Sequence, residues 1–371
     1  MQERLRVLHL ITGSIRYDYL SLIADHTDRS TIDLCLGSLE PPGELQVDAA
    51  LRGVSSFSLD ARKRSDYPRA LASLVTRLRR DRIDVVQTHL FEAQLVGLVA
   101  ARVARTPLIV MTAHHSHELP LLGARLPMLA DWVALRLLSH RVIAPSAEMA
   151  TTLIQVHGVS ASRVAVVPHG FTVQDWTPSS EARERVREEL GIGQRTLAGA
   201  VGRIHWIKGY EDLLRAHALV VKSRPDVVLA IVGGGDASGL AARAEALGIG
   251  ASVLLLGHRW DIPDLMDAFD VFVHPAHAES FGLVIAEAMV KGKPIVSTRV
   301  GAVPELLDVA GGRVVPPNDV GALADALADV IDRPESWSTM GATNRRRALE
   351  LDAEAMVAKM GYLYRQWLAN P

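Results

Sequence analysis

Short apolar runs rich in Val, Ile and Leu recur along the chain, and the stretches between them repeat their apolar positions every three or four residues. The first set of runs is Arg6–Ile11, Ile32–Gly37, Val54–Phe57, Ile83–Gln87, Leu108–Met111, Val142–Ala144 and Val164–Val167. Runs this short and continuous read as strands buried on both faces, and the helical stretches supply the cover. The pattern then breaks. Val167–Ser180 (VPHGFTVQDWTPSS) is dense in turn residues and has no clear period, so it reads as a linker. Strand runs resume at Leu197–Val201, Val227–Val232, Val253–Leu255, Asp270–Val273, Pro294–Ser297 and Arg313–Val315. The chain is therefore expected to be α/β, with two parallel sheets in two domains of the Rossmann-like kind.

Composition agrees with that size and class. The 371 residues are 49% hydrophobic and 22% charged, enough for two buried cores. A net charge of −2 argues against general nucleic-acid binding. The single Cys35 forms no internal disulfide, which suits a reducing cytoplasm, and no signal peptide or membrane span is recognisable, so a cytoplasmic protein is expected. Charge is uneven: residues 1–170 carry 19 Lys/Arg against 16 Asp/Glu, whereas the remainder is acidic.

The stretch VFVHPAHAESFGLVIAEAMVKGKPIV (Val271–Val296) carries the most chemistry. A strand leads through a polar turn into a helical segment from Phe281 to Val290. Gly282 leaves the first turn without a side chain, so the unpaired N–H groups near Gly282 and Leu283 are open to an anion such as a phosphate. Glu287 lies in the second turn among apolar residues and needs a partner, which the paired hydroxyls of a ribose or hexose would provide. Taken singly, Glu279 and Glu287 are also ordinary acids near a helix start. Together, a Glu, seven residues and a second Glu, with Phe-Gly after the first Glu-Ser and GKPIV following, resemble the signature of the family-4 retaining glycosyltransferases of the glycogen-synthase-like clan.

That resemblance implies the glycosyltransferase-B fold, two facing Rossmann-like domains with a cleft between them. The implied domains are 1–168 on the acceptor side, 169–353 for the donor nucleotide sugar, and a helix from 354 to 371 returning to the first domain. By the same resemblance Glu279 contacts the transferred sugar, Glu287 holds the donor ribose, and Phe281, Gly282 and Leu283 meet sugar and phosphate.

Ligands in open α/β sheets bind outside the carboxyl ends of the strands, so loops after strands rank highest. Gly13, in ITGSIRYDY, is placed to bring backbone N–H groups to a diphosphate, although the family usually has a Gly-Gly pair there. MTAHHSHEL (Met111–Leu119) holds three histidines, a pattern that also suits zinc. The resemblance makes His114 the sugar-contacting histidine, with His115 the alternative. His89 also follows a strand, where it would line the site or cap the next helix. In VGRIHWIKGYEDLL (Val201–Leu214), Arg203 and Lys208 match the family's phosphate-binding Arg and Lys, and two cations on such a loop make a clamp for a departing pyrophosphate. GHRW (Gly257–Trp260) resembles the segment that meets the nucleotide base.

No D-x-D occurs in the chain, so metal-independent transfer is expected, with Arg203, Lys208 and the helix start carrying the leaving-group charge and no cofactor beyond the nucleotide sugar. No G-x-S-x-G is present, which disfavours a hydrolase of that class. The expected activity is retaining transfer of a sugar from a nucleotide-diphosphate sugar to an acceptor hydroxyl. A sugar-nucleotide epimerase of the same architecture and a non-catalytic nucleotide-sugar binding protein are the alternatives. The acceptor would be a sugar, a lipid-linked or a small molecule. Arg52–Arg82 holds nine Lys/Arg against three Asp, with apolar Ala70, Leu71, Leu74, Val75 and Leu78 on one helix face. Its cations read either as a solvated face or as a docking surface for an anionic membrane or a phosphorylated acceptor.

Overall fold

Every predicted apolar run lies in or against a strand in the computed structural model, which describes residues 4–114 and 132–370. The chain divides into two compact units, one running to Phe171 and resuming at Asp352, the other spanning Thr172–Leu351. The crossings are neighbours in space within the first unit, where Phe171 bridges Asp352.

Among the described residues the first unit holds seven strands: β1 (Leu5–Ile11), β2 (Ile32–Ser38), β3 (Ser55–Ser58), β4 (Val85–Thr88), β5 (Leu108–Thr112), β6 (Arg141–Ala144) and β7 (Val164–Val166). They pair in parallel in the order β3-β2-β1-β4-β5-β6-β7. Alternation along β1 fixes the two faces. Leu8 and Leu10 pack with the helices Tyr67–Arg80 and Phe91–Ala104, while Val7 and Ile11 pack with Asp18–His26 and the last helix, Ala353–Ala369. That last helix is started by Asp352, whose carboxylate accepts from the Ala355 N–H at 3.1 Å. It then buries Met356, Val357, Met360, Tyr364 and Trp367 against the sheet.

The second unit holds β8 (Thr196–Val201), β9 (Val227–Val232), β10 (Val253–Leu255), β11 (Val271–His274), β12 (Ile295–Thr298) and β13 (Gly312–Val315), all parallel, in the order β10-β9-β8-β11-β12-β13. Its start is pinned by a buried ion pair. Lys291 Nζ lies 2.5 Å from Asp267 Oδ2 and also donates to the Thr177 carbonyl, while the same carboxylate accepts from the Ser179 N–H.

In each sheet the strand order reverses once, between β1 and β4 and between β8 and β11. Those reversals leave a crevice at the carboxyl edge, because successive crossovers diverge to opposite sides.

Candidate active site

In the second unit the loops after β8 and β11 meet at the reversal. Gly209 has φ +67°, and a side chain there would place its Cβ 2.0 Å from the Pro275 carbonyl oxygen, so only glycine lets the loops touch. The His277 N–H donates to the Ile207 carbonyl at 2.8 Å, and Tyr210 donates its hydroxyl to the Gly202 carbonyl at 2.8 Å. These bonds bring Lys208 to Glu279. Lys208 Nζ donates to Glu279 Oε2 at 2.6 Å, and His274 Nε2 faces the same oxygen at 3.6 Å, beyond hydrogen-bond length. Burial opposes the charge on Glu279, but the facing His274 imidazole and Lys208 ammonium overcome it and hold the carboxyl far below its usual range.

The helix after Glu279 begins at Leu283 rather than Phe281, because Gly282 takes the left-handed conformation at its cap, φ +87°. Phe281 is buried and Leu283 partly exposed, and Glu287 is half-buried in the second turn. Glu279 Cγ lies 3.4 Å from where a Gly282 Cβ would stand, so the carboxylate and the helix start share one corner. Arg203 is exposed on the β8 loop. The corner thus holds an ammonium, a carboxylate and a glycine-capped helix start, which suits an anion on one side and hydroxyls on the other.

In the first unit, the reversal between β1 and β4 gathers histidines. His9 lies in β1, His89 directly follows β4, and His114 follows β5 by two residues. Their rings form a row: His9 Nδ1 to His89 Nε2 is 2.9 Å, and His89 Nδ1 to His114 Nε2 is 3.0 Å. His169 and Tyr19 close around it, with ring centres 4.6 Å apart. At the far end Tyr364, from the last helix, reaches His9 Nε2 at 3.3 Å and hydrogen-bonds Gln87. Burial pushes the His9 imidazole down to about 3, and burial followed by the facing imidazoles of His9, His114 and His169 holds His89 well below its usual value. Both rings are neutral at ordinary pH.

The sequence placed His89 on the site wall or at a helix cap. It is instead fully buried between His9 and His114, because β1, β4 and β5 are adjacent in the sheet. His115 and the rest of the three-histidine cluster lie outside the described residues. Among the described residues, no group of three or more His, Cys, Asp or Glu is arranged to hold a metal ion. Beside Gly13 stands the Glu40 carboxylate, 3.5 Å from a Cβ built there, a repulsive neighbour for a diphosphate. His9, His274, Gln87 and Tyr364 escaped sequence reasoning. A signal was present for two of them: His9 and Gln87 occupy core-facing positions in strands where apolar residues are the rule, and a buried polar side chain demands partners.

The basic stretch is largely occupied by the protein itself. Arg64 pairs with Glu92 at 2.9 Å, Arg80 with Asp81 at 2.7 Å, and Arg79 donates to the Val103 carbonyl at 2.6 Å. Arg77 lies over the Phe57 ring at 4.1 Å. Among the described residues no helix is long and apolar enough to cross a membrane.

Known protein families match most of each unit. A model described as Glycosyltransferase Family 4 matches residues 20–175, and one described as Glycosyl transferases group 1 matches residues 182–347. A D-inositol 3-phosphate glycosyltransferase of Thermobifida fusca (strain YX) is 32% identical over 305 residues, 77% of this chain and 70% of that protein. The chain belongs to glycosyltransferase family 4. The relative of the same name in Corynebacterium jeikeium (strain K411) is 34% identical over 227 residues, and the match covers 58% of this glycosyltransferase but only 54% of that protein. The crystal structure of Anabaena Alr3699/HepE in complex with UDP-glucose superposes with a TM-score of 0.84 at 23% identity, covering 98% of this chain and 100% of that one, which shows a shared glycosyltransferase-B fold.

Proposed function

We propose that this family-4 glycosyltransferase moves a sugar from a nucleotide-diphosphate sugar to an acceptor hydroxyl with retention of configuration. The observation that carries the reading is the Lys208–Glu279 contact beside the Gly282 helix start. Arg203 and Lys208 hold the diphosphate and stabilise it as it leaves, because preorganised cations act most strongly where charge develops. Glu279 is kept ionised at that corner and accepts hydrogen bonds from sugar hydroxyls. Lys208 must then exchange part of its contact with Glu279 for a phosphate oxygen when the donor binds. Glu287 takes the ribose diol, Phe281, Gly282 and Leu283 supply backbone to sugar and phosphate, and His114 meets a hydroxyl of the transferred sugar.

The attacking acceptor hydroxyl gives its proton to an oxygen of the leaving phosphate, so no side chain needs to act as base. The chemistry of the charged groups accounts for the leaving-group charge without a metal ion. A phosphorylated polyol is the favoured acceptor class, since the relatives above are named for D-inositol 3-phosphate. Docking on anionic lipid is the finer alternative. It requires the Arg52–Arg82 cations to leave their internal partners, and selective, salt-sensitive co-sedimentation with anionic vesicles is the result that would establish it.

The deciding experiment incubates the protein with a panel of nucleotide sugars, with and without inositol phosphate and sugar acceptors, in the presence of a chelator. Transfer giving a product of unchanged anomeric configuration is expected. An epimerised donor, donor binding without turnover, or activity restored only by Mg²⁺ or Mn²⁺ would each replace part of the reading.

A further inference from the structure

The buried row of histidines has a direction, and the direction starts at Tyr364. Gln87 turns its amide nitrogen to Thr112 Oγ1 at 2.8 Å and to the Met360 sulfur at 3.9 Å, which leaves its oxygen to accept from the Tyr364 hydroxyl. A phenol has one proton. Once it is committed to Gln87, the Tyr364 oxygen can only accept from His9 Nε2, 3.3 Å away. His9 therefore carries its proton on Nε2 and a lone pair on Nδ1. That lone pair takes the Nε2 proton of His89 at 2.9 Å, and His89 Nδ1 takes the Nε2 proton of His114 at 3.0 Å.

We infer that Tyr364, Gln87, His9 and His89 are positioning residues that fix His114 as the Nε2-protonated tautomer, so that its Nδ1 is an acceptor and the sugar group it meets must be a hydrogen-bond donor, a hydroxyl. The inference rests on the reading of His114 as a sugar contact and deepens it. Three observations on the row support it. The His9 and His89 rings are almost wholly enclosed, at 1% and 0% exposure, so water does not compete for the nitrogens that link the row. Reversing His9 or His89 would set two N–H groups or two lone pairs face to face along the row, at 2.9 or 3.0 Å. The partner of one ring nitrogen sets the proton on the other, and here each partner is in turn held by the next. The anchor also lies on the helix at the end of the chain, so a residue 250 positions after His114, Tyr364, decides what His114 offers.

The test reads tautomers directly. Proton–nitrogen correlation spectra of the full chain labelled at its histidine ring nitrogens should show His9, His89 and His114 each protonated on Nε2 and bare on Nδ1. In Gln87→Met the Tyr364 proton is released toward His9, and the row should reverse, leaving His114 protonated on Nδ1. In Tyr364→Phe, a smaller change that serves if Gln87→Met does not fold, the anchor is lost and His114 should populate both tautomers. Turnover in Gln87→Met should fall about tenfold, the worth of one hydrogen bond made in the transition state. An Nδ1-protonated or doubly protonated His114 in the unaltered protein at neutral pH overturns the inference, as does an unchanged His114 in both variants. If the tautomers are as expected but His114→Ala transfers sugar at full rate, the sugar contact has failed and the bonded row has not.

Discussion

The two strand reversals place polar groups at equivalent corners of two similar sheets and keep them there by opposite means. In the first unit the polar row is neutral: His9, His89 and His114 pass one hydrogen bond to the next, and burial keeps His9 and His89 uncharged. In the second unit the groups are ionised: Lys208 faces Glu279, and at the other end of the helix that Gly282 caps, Lys291 and Asp267 form a pair whose side chains are 2% and 4% exposed. A neutral row orients without attracting a charged ligand, whereas an ion pair with one exchangeable partner attracts a phosphate. The proposed function draws on that difference, using the charged corner for the donor's diphosphate and the neutral row for a sugar hydroxyl.

The comparison breaks first at the buried pair. Lys291→Met leaves the Asp267 charge enclosed without its partner and should cost about 3–5 kcal/mol of stability, whereas replacing both residues by apolar ones should recover most of it. Denaturant unfolding of the single and double variants checks this, and equal losses in both would show that packing rather than charge holds the linker start. Next in size, Lys208→Ala and Arg203→Ala should each slow transfer roughly a hundredfold or more, the usual loss when a preorganised donor at a developing anion is removed. Near-normal turnover in both would leave the charged corner without its proposed task.

Acid should separate the units. His9 is depressed to about 3 in the folded chain, so between its ordinary value near 6.5 and 3 only the unfolded chain binds its proton. Stability is then complete above about 6.5 and is lost as pH falls, by about 1.4 kcal/mol per pH unit for each such histidine. His89 and His140 add to this in the first unit, whereas His217 does so in the second. Glu279 is also shifted down, which there favours the charged form: its contribution is complete above its ordinary value near 4.5 and fades only below it. Hydrogen exchange between pH 7 and 5 should therefore loosen the first unit before the second, and simultaneous loosening would refute the contrast. The smallest effect is expected at Glu287. Replacing it with Ala should raise the donor KM about tenfold with little change in kcat, because a ribose contact is alike in ground and transition states. A fall in kcat at constant KM would move Glu287 to the reacting centre.

Much of this was legible before any coordinates. The thirteen apolar runs announce their strands because a strand buried on both faces is largely apolar, so even the short run Asp270–Val273 stands out, one residue ahead of the strand Val271–His274. The helix start at Gly282 and the pairing of a Glu with a Gly-rich turn are local, and local chemistry survives in sequence. Boundaries are softer: the Glu287 helix starts two residues late, since the left-handed Gly282 forms the cap rather than the first turn.

What the sequence by itself determined is the alternation that forces two parallel sheets, and the residue types at the loops that follow their strands. What only the tertiary structure decided is which of those residues meet. Lys208 and Glu279 are 71 positions apart, and His9 and Tyr364 are 355 apart. Strand order, which depends on how whole layers pack, puts β1 beside β4 and β8 beside β11. A side chain's partner, and through it a proton's place on His114, follows from that packing, because hydrogen bonds act over a few ångströms and the chain carries no local record of what will lie that close.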